Sequence, residues 1–337
     1  MSARHALVLS PDRIDSLLRP LESATRVLIA VSGGPDSTAL LVIASAWAAR
    51  RGATEIVAAT VDHGLRPEAA AEALAVARLC GQLSIPHATL TWDGVKPKTR
   101  VQERAREARY RLLTKHAHAI GADAIATAHH ADDQAETVLF RLIRGSGIAG
   151  LRGMEMITAR EDLLHFRPLL SVQKTDIIAF CRERGISYVE DPSNGDPRYA
   201  RPRLRALLEN LRDEGLDTAG LLRFARRAAE ADDAIASAAS RFEQGLEPGM
   251  LDANLLFAAP MAIVHRVLAG RIAAAGGRNN SRLNLEKIET LAKTMREALA
   301  AGEPYAANIG GAMIRLTTKG KLQFAPEPPR RKIARKT

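Results

Sequence analysis

The sequence predicts an α/β fold, a doubly wound and mostly parallel sheet, followed by a smaller and mainly α-helical C-terminal domain. Three observations carry this reading. Short apolar runs alternate with longer helical stretches through residue 144, which is the pattern of repeated βαβ units. The first run, RVLIAV at 26–31, is apolar after its leading Arg26, which fits a strand buried on both faces. Beyond Gly215 the texture changes to Ala- and Arg-rich segments of helical period, such as LLRFARRAAEADDAIASAASRF at 221–242. A chain of 337 residues accommodates two domains. The expected division is 1–214, 215–325, and a Pro-rich, basic and disordered tail at 326–337.

The elements follow in order. After the 26–31 strand come a loop and a helix, then EIVAATV at 55–61 as a strand and 68–83 as a helix. Residues 87–92 form the next strand and 100–119 a long helix; AIATA at 124–128 is a strand and 132–144 a helix. In such a sheet the ligand site lies beyond the carboxyl ends of the strands.

Composition sets bounds on function. Apolar residues make up 46% of the chain, enough for a sizeable core and too many for wholesale disorder. Lys and Arg number 48 against 38 Asp and Glu, a net +10 that favours a polyanionic partner. Divided at residue 214, the first part holds 29 against 26, or +3, and the second 19 against 12, or +7. The two cysteines, Cys80 and Cys181, are too far apart in sequence for a CxxC metal or redox pair and too few for a disulfide framework. The N-terminus lacks the apolar core of a secretion signal, and the longest apolar run, around 39–49, is too short for a membrane span. A cytoplasmic protein without a membrane partner is expected; oligomeric state is not written in any pattern, and a homodimer stays open.

The first segment that carries chemistry is Ser32-Gly33-Gly34-Pro35-Asp36-Ser37-Thr38, between the first strand and a helix. Adjacent glycines let the backbone approach an anion, and the helix start directs unpaired N–H groups and a positive dipole end at the same point. This is a phosphate cradle without the Lys of a Walker loop. Asp36 beside phosphates is repulsive unless a divalent cation bridges them. The plainer alternative is a turn in which Asp36 and Ser37 only cap the helix.

SGGPDS after an apolar strand resembles the SGGxDS loop of the PP-loop ATP pyrophosphatases, which adenylate an oxygen and release pyrophosphate. Further stretches narrow the resemblance. VDHGLR at 61–66, HHADDQAET at 129–137, RGSGIAGL at 144–151, RPLL at 167–170 and DPSN at 191–194 with Tyr199-Ala200-Arg201 are similar, in order, to elements of the tRNA(Ile)-lysidine synthetases. One departure is Pro202, which stands where that family usually has Asn and removes a backbone donor.

His129, Asp133 and Glu136 fall at i, i+4 and i+7, so on a helix they share one face. Asp133 could then reach a magnesium ion together with Asp36; zinc is the rival, disfavoured because no cysteine is close in sequence. Arg109, in ARYRLL, suits a phosphate or a developing charge. Arg201, Arg203 and Arg205 form a second basic cluster, and the plain alternative for every such arginine is a solvated helix face.

The resemblance implies ATP and Mg2+ as cofactors. It implies catalytic roles for Asp36, Asp133, Arg109 and Arg205, with magnesium on Asp36 and Asp133. It implies ATP binding by Ser32, Gly33, Gly34, Pro35, Asp36, Ser37, Asp62 and His63, and substrate or tRNA contacts by His129, Glu136, Arg144, Arg201 and Arg203. The partners it implies are L-lysine and a CAU-anticodon isoleucine tRNA, whose wobble cytidine is adenylated at its C2 oxygen and then joined to lysine. Asp62, Glu136 and Arg144 are unranked candidates for holding the lysine. Family members with an extra C-terminal domain are longer than this chain. Three other readings are a tRNA cytidine sulfur-transferase, which calls for paired cysteines, a non-catalytic tRNA-binding relative, and a small-molecule ligase.

Overall fold

The computed structural model describes residues 9–64, 69–97, 99–160, 162–189, 200–245, 251–276 and 284–328. Two compact units divide the chain: residues 1–141 with 153–224, and residues 142–152 with 225–337. Most of the expected basic tail, from residue 329, lies outside the described residues.

The first unit is built on a six-stranded sheet ordered β3-β2-β1-β4-β6-β5. Its strands are β1 (Arg26–Ala30), β2 (Glu55–Asp62), β3 (His87–Thr91), β4 (Ala124–Ala126), β5 (Ile157–Arg160) and β6 (Leu163–Phe166). All neighbouring pairs are parallel except β5 with β6. The strand period of two distributes β1 between both faces. Val27 and Ile29 join Leu40, Ile43, Trp47, Ile177 and Phe180, whereas Leu28 and Ala30 join Val57, Leu113, Ala117 and Ile125. Helices therefore cover both sides, as the continuous apolar run of β1 predicts.

In chain order the helices are α1 (Pro11–Leu18), α2 (Pro35–Arg51), α3 (Ala69–Gln82), α4 (Val101–Ala119), α5 (Ala131–Ile143), α6 (Ile148–Leu151, which falls in the second unit), α7 (Lys174–Glu183) and α8 (Ala200–Arg212). The chain order gives the sheet a switch point. From β1 it runs outward through β2 to β3, then returns to the other side of β1 as β4. The loops after β1 and β4 consequently diverge and leave a crevice at the carboxyl ends of these strands. Pro202 falls in the first turn of α8, where backbone N–H groups have no intrahelical acceptor, so the proline takes no bond from the helix.

In the second unit α9 (Thr218–Gln244, which begins in the first), α10 (Ala253–Ala258), α11 (Met261–Gly276) and α12 (Leu285–Ala301) accompany an antiparallel sheet. Its strands, β7 (Leu251–Asp252), β8 (Tyr305–Ile309), β9 (Ala312–Leu316) and β10 (Lys321–Pro326), are ordered β7-β10-β9-β8. This sheet adds to the mainly helical expectation. Its hairpin signal was in the sequence: Gly310 and Gly311, at φ 61° and 80°, link Ile309 to its partner Ala312. Val264, Leu268, Ile288, Met295, Ile314 and Leu322 make a core of its own for this unit.

Ile29 is fully buried at the centre of the large sheet. Ile29→Ala is expected to cost about 2–5 kcal/mol, measured as a lower urea midpoint for the first unit. A loss below about 1 kcal/mol would contradict this assignment of the core.

Candidate active site

The crevice of the first unit is a cavity of about 900 Å³. Its floor is the loop between β1 and α2. Gly33 turns at φ 90°, Gly34 takes an extended conformation as N-cap, and Pro35 occupies the first helical position, where a missing N–H costs nothing. Ser37 Oγ accepts from Ser32 N at 3.1 Å, lies 3.1 Å from Ser32 Oγ and donates to the Gly34 carbonyl at 3.2 Å. From outside the loop, Val189 N donates to the Gly33 carbonyl at 2.9 Å. These bonds fix the loop with the α2 N-terminus facing the cavity, and the helix dipole favours negative charge there.

From the other side of the switch point, α5 brings its first turn. Asp36 Oδ2 and Asp133 Oδ2 lie 3.8 and 3.4 Å from the same atom, Nε2 of His130. Nδ1 of that ring faces Asp132 at 3.6 Å, an ion-pair distance too long for a hydrogen bond. Burial pulls the His130 pKa down, but the three carboxylates outweigh it and hold the pKa above its ordinary 6.5. Asp132, chiefly through His130, is held down at about 2. It also accepts from Lys174 N at 2.9 Å and Thr218 Oγ1 at 3.2 Å, so one carboxylate joins the starts of α5, α7 and α9.

His129 behaves in the opposite way. Burial pushes its pKa to about 3 against the pull of Asp133, so it is a neutral imidazole, 2.9 Å from Thr127 Oγ1 through Nδ1. Burial, then Arg109, also lowers the pKa of His63.

Of the residues expected from sequence, Ser32, Gly34, Pro35, Asp36, Ser37, His63, Arg109, His129, Asp133, Glu136 and Arg205 line the cavity, and Gly33 shapes its floor. Glu136 is buried and accepts from Arg205 Nε at 2.5 Å. Asp62 instead builds a turn, its carboxylate accepting from Gly64 N at 2.8 Å. Arg144 belongs to the second unit. Arg203 is exposed on α8 and outside the cavity lining; the side chain of Arg201 lies outside the described residues.

Sequence reasoning missed Lys174. Its Nζ lies 2.5 and 2.6 Å from the two Asp36 oxygens, across 138 residues of chain. Cys181, considered from sequence only as a CxxC or disulfide partner, donates its thiol to the Pro35 carbonyl at 3.7 Å, and burial and then Asp36 raise its pKa to about 11. Among the described residues no three His, Cys, Asp or Glu side chains gather as a preformed metal cage. Two carboxylates beside a phosphate cradle still suit magnesium, which takes one or two carboxylates and completes its shell with phosphate and water.

Gly33→Ala places a Cβ on a left-handed residue 3.4 Å from Val76 Cγ2. A non-hydrolysable ATP analogue is expected to bind roughly tenfold more weakly, with unchanged circular dichroism; unaltered affinity would remove the loop from the site. His130 gives a pH test. Its raised pKa favours folding below 6.5, and that contribution is lost as pH rises through the folded-state value. In EDTA, His130→Gln is expected to flatten the fall in stability above pH 6.5, and a slope equal to wild type would contradict the pairing.

A family model described as a PP-loop domain matches residues 8–211. A tRNA(Ile)-lysidine synthase from Methylobacterium nodulans is 48% identical over 328 residues, 95% of each chain. Another from Rhodopseudomonas palustris is 45% identical over 326 residues, 92% of this chain and 93% of that one. Among solved structures, the U34-tRNA thiolase NcsA from Methanococcus maripaludis, with its 4Fe-4S cluster, superposes with a TM-score of 0.53 at 18% identity. That match covers 68% of this chain and 78% of the other and shows a shared fold. With matches at 45–48% identity over more than nine-tenths of its length, the chain belongs to the tRNA(Ile)-lysidine synthase family of PP-loop proteins.

Proposed function

We propose that this chain joins L-lysine to the wobble cytidine of a CAU-anticodon isoleucine tRNA, using ATP and releasing AMP and pyrophosphate. One observation carries the reading beyond family membership. A single cavity brings together a backbone anion cradle, two carboxylates able to hold a cation, and the cationic side chains of Lys174, Arg109 and Arg205. This combination suits triphosphate chemistry, in which charge moves onto a leaving pyrophosphate.

In the first step the C2 oxygen of cytidine attacks the α-phosphorus and the bond to pyrophosphate breaks. The Gly33–Gly34 turn and the α2 N-terminus hold the β- and γ-phosphates in line. Lys174 and Arg109 supply positive charge as the α-phosphate becomes crowded. Asp36 and Asp133 would hold magnesium, which would supply neutralising charge for the leaving pyrophosphate. In the second step the ε-amine of lysine forms a bond to C2, and AMP departs with the former C2 oxygen. Neutral His129 and the pair of buried Glu136 with the exposed Arg205 line the same cavity, where Glu136 offers a carboxylate for an ammonium group. The basic second unit grips the tRNA through its phosphates, and the cytosol is the setting.

The sulfur-transfer reading finds less support. Cys80 and Cys181, the only cysteines in the sequence, sit on separate helices, and burial raises both thiols to a pKa of about 11.

With magnesium, ATP, labelled lysine and the tRNA transcript, label is expected to enter the RNA. Asp36→Ala abolishes incorporation, and Lys174→Ala lowers kcat by roughly 10²–10³-fold. ATP-dependent pyrophosphate release without lysine incorporation would keep adenylation and reject the amine; tRNA binding with neither would favour a non-catalytic relative.

A further inference from the structure

One pairing in the cavity puts a lysine where a metal ion belongs. Lys174 Nζ lies 2.5 and 2.6 Å from the two oxygens of Asp36, so a single ammonium engages the whole carboxylate. Asp36 is also one of the two carboxylates suited to magnesium; it and Asp133 approach the same atom, His130 Nε2, at 3.8 and 3.4 Å. A carboxylate gripped at both oxygens by an ammonium must lose that partner before it can coordinate a metal.

The setting of Lys174 makes this pairing exchangeable. Lys174 is the first residue of α7, and its N–H donates to Asp132 Oδ2 at 2.9 Å, which pins the main chain. A helix N-terminus disfavours positive charge, so α7 itself gives the ammonium no support and Asp36 holds it. The side chain lines the cavity and is 32% exposed. A lysine carries a compact charge on a flexible four-carbon stem, so the charge can change partners while the Cα stays fixed. Asp36 is the second residue of α2, whose N-terminus forms the anion cradle, and a lysine that reaches Asp36 reaches the cradle's edge as well.

We propose that Lys174 is a resident cation that holds Asp36 in the nucleotide-free protein and exchanges it for a triphosphate oxygen, so that Asp36 opens to a divalent cation only once nucleotide occupies the cradle. Before that exchange the cluster of Asp36, Asp132 and Asp133 is balanced by the chain's own cations, and the metal enters with the nucleotide. Such an order suits magnesium, which dehydrates reluctantly and takes many of its ligands from phosphate and water. Lys174 is in this sense a positioning residue that sets the order of binding. The inference rests on the proposed function only for ATP and magnesium as the ligands; it requires neither lysine nor RNA.

The test measures two affinities of the full chain in the absence of RNA and lysine. One is for Mn2+ alone, from the electron paramagnetic resonance signal of the unbound ion; the other is for a non-hydrolysable ATP analogue in EDTA. Lys174→Met is expected to bind Mn2+ about tenfold more tightly than wild type, as for a site whose competent form is populated about a tenth of the time while Lys174 is present. The same variant is expected to bind the analogue about tenfold more weakly. Damage to the fold weakens both ligands, so opposite signs separate exchange from a structural role. The Mn2+ gain is expected to vanish in Asp36→Asn/Lys174→Met and to persist in 1 M KCl, where exposed charges more than about 3 Å apart are screened. Should Lys174→Met melt early, Lys174→Gln, which keeps a donor for Asp36 without the charge, carries the same comparison. Equal Mn2+ affinity in wild type and variant overturns the proposal, as does a gain that survives Asp36→Asn, a gain lost in salt, or unchanged affinity for the analogue. Both shifts as described, in a protein whose wild type incorporates no lysine into the tRNA, count against the enzymatic reading alone.

Discussion

The turn at Gly33 is the constraint on which the first unit depends. A parallel strand must end, reverse into a helix and present that helix's N-terminus to a crevice, all within Ser32 to Pro35. Only a left-handed residue closes so short a path, and Val189 N–H, packed against the loop, then donates to the Gly33 carbonyl. Because β1 is an inner strand buried on both faces, this turn is held by a fully packed part of the sheet. The anion cradle thereby owes its geometry to the core.

A second consequence is electrostatic. Three carboxylates, Asp36, Asp132 and Asp133, surround one buried imidazole, and such an assembly would repel itself unless balanced. The balance comes from His130 and Lys174, the latter carried by the first residue of α7. Two of the aspartates also have structural work: Asp132 joins three helix starts, and Asp133 accepts from His130 N at 3.1 Å. Next to this charged group, His129 stays neutral by desolvation. The pKa values of adjacent histidines are thus driven in opposite directions, because three carboxylates face one ring and burial dominates the other.

Much of this was legible in the sequence. The boundaries of β1, β2, β3, α4 and α5 follow from apolar runs and helical period, and the SGGPDS loop announces itself by its glycines and position. Lys174 was hidden for a physical reason: it meets Asp36 only through the fold, and no local pattern encodes a pair 138 residues apart. His130 and Asp132 stood in the HHADDQAET stretch, and what the sequence did not assign was their part in the charge cluster around Asp36. The small antiparallel sheet was hidden because its strands are short and half exposed, although the Gly310–Gly311 turn was a readable sign. Pro202 read as a lost donor, and its place in the first turn of α8 removes that cost. The association of 142–152 with the second unit depends on Asp232, far along the chain, and was equally unreadable.

Lysine transfer in this cavity requires that the cytidine be activated through its C2 oxygen. The most direct measurement uses a tRNA whose wobble cytidine carries ¹⁸O at C2, with ATP, magnesium and lysine, and follows the isotope by mass spectrometry. The released AMP is expected to carry the ¹⁸O, one label for each lysine incorporated. AMP free of label, with lysine nevertheless attached to the RNA, would contradict it.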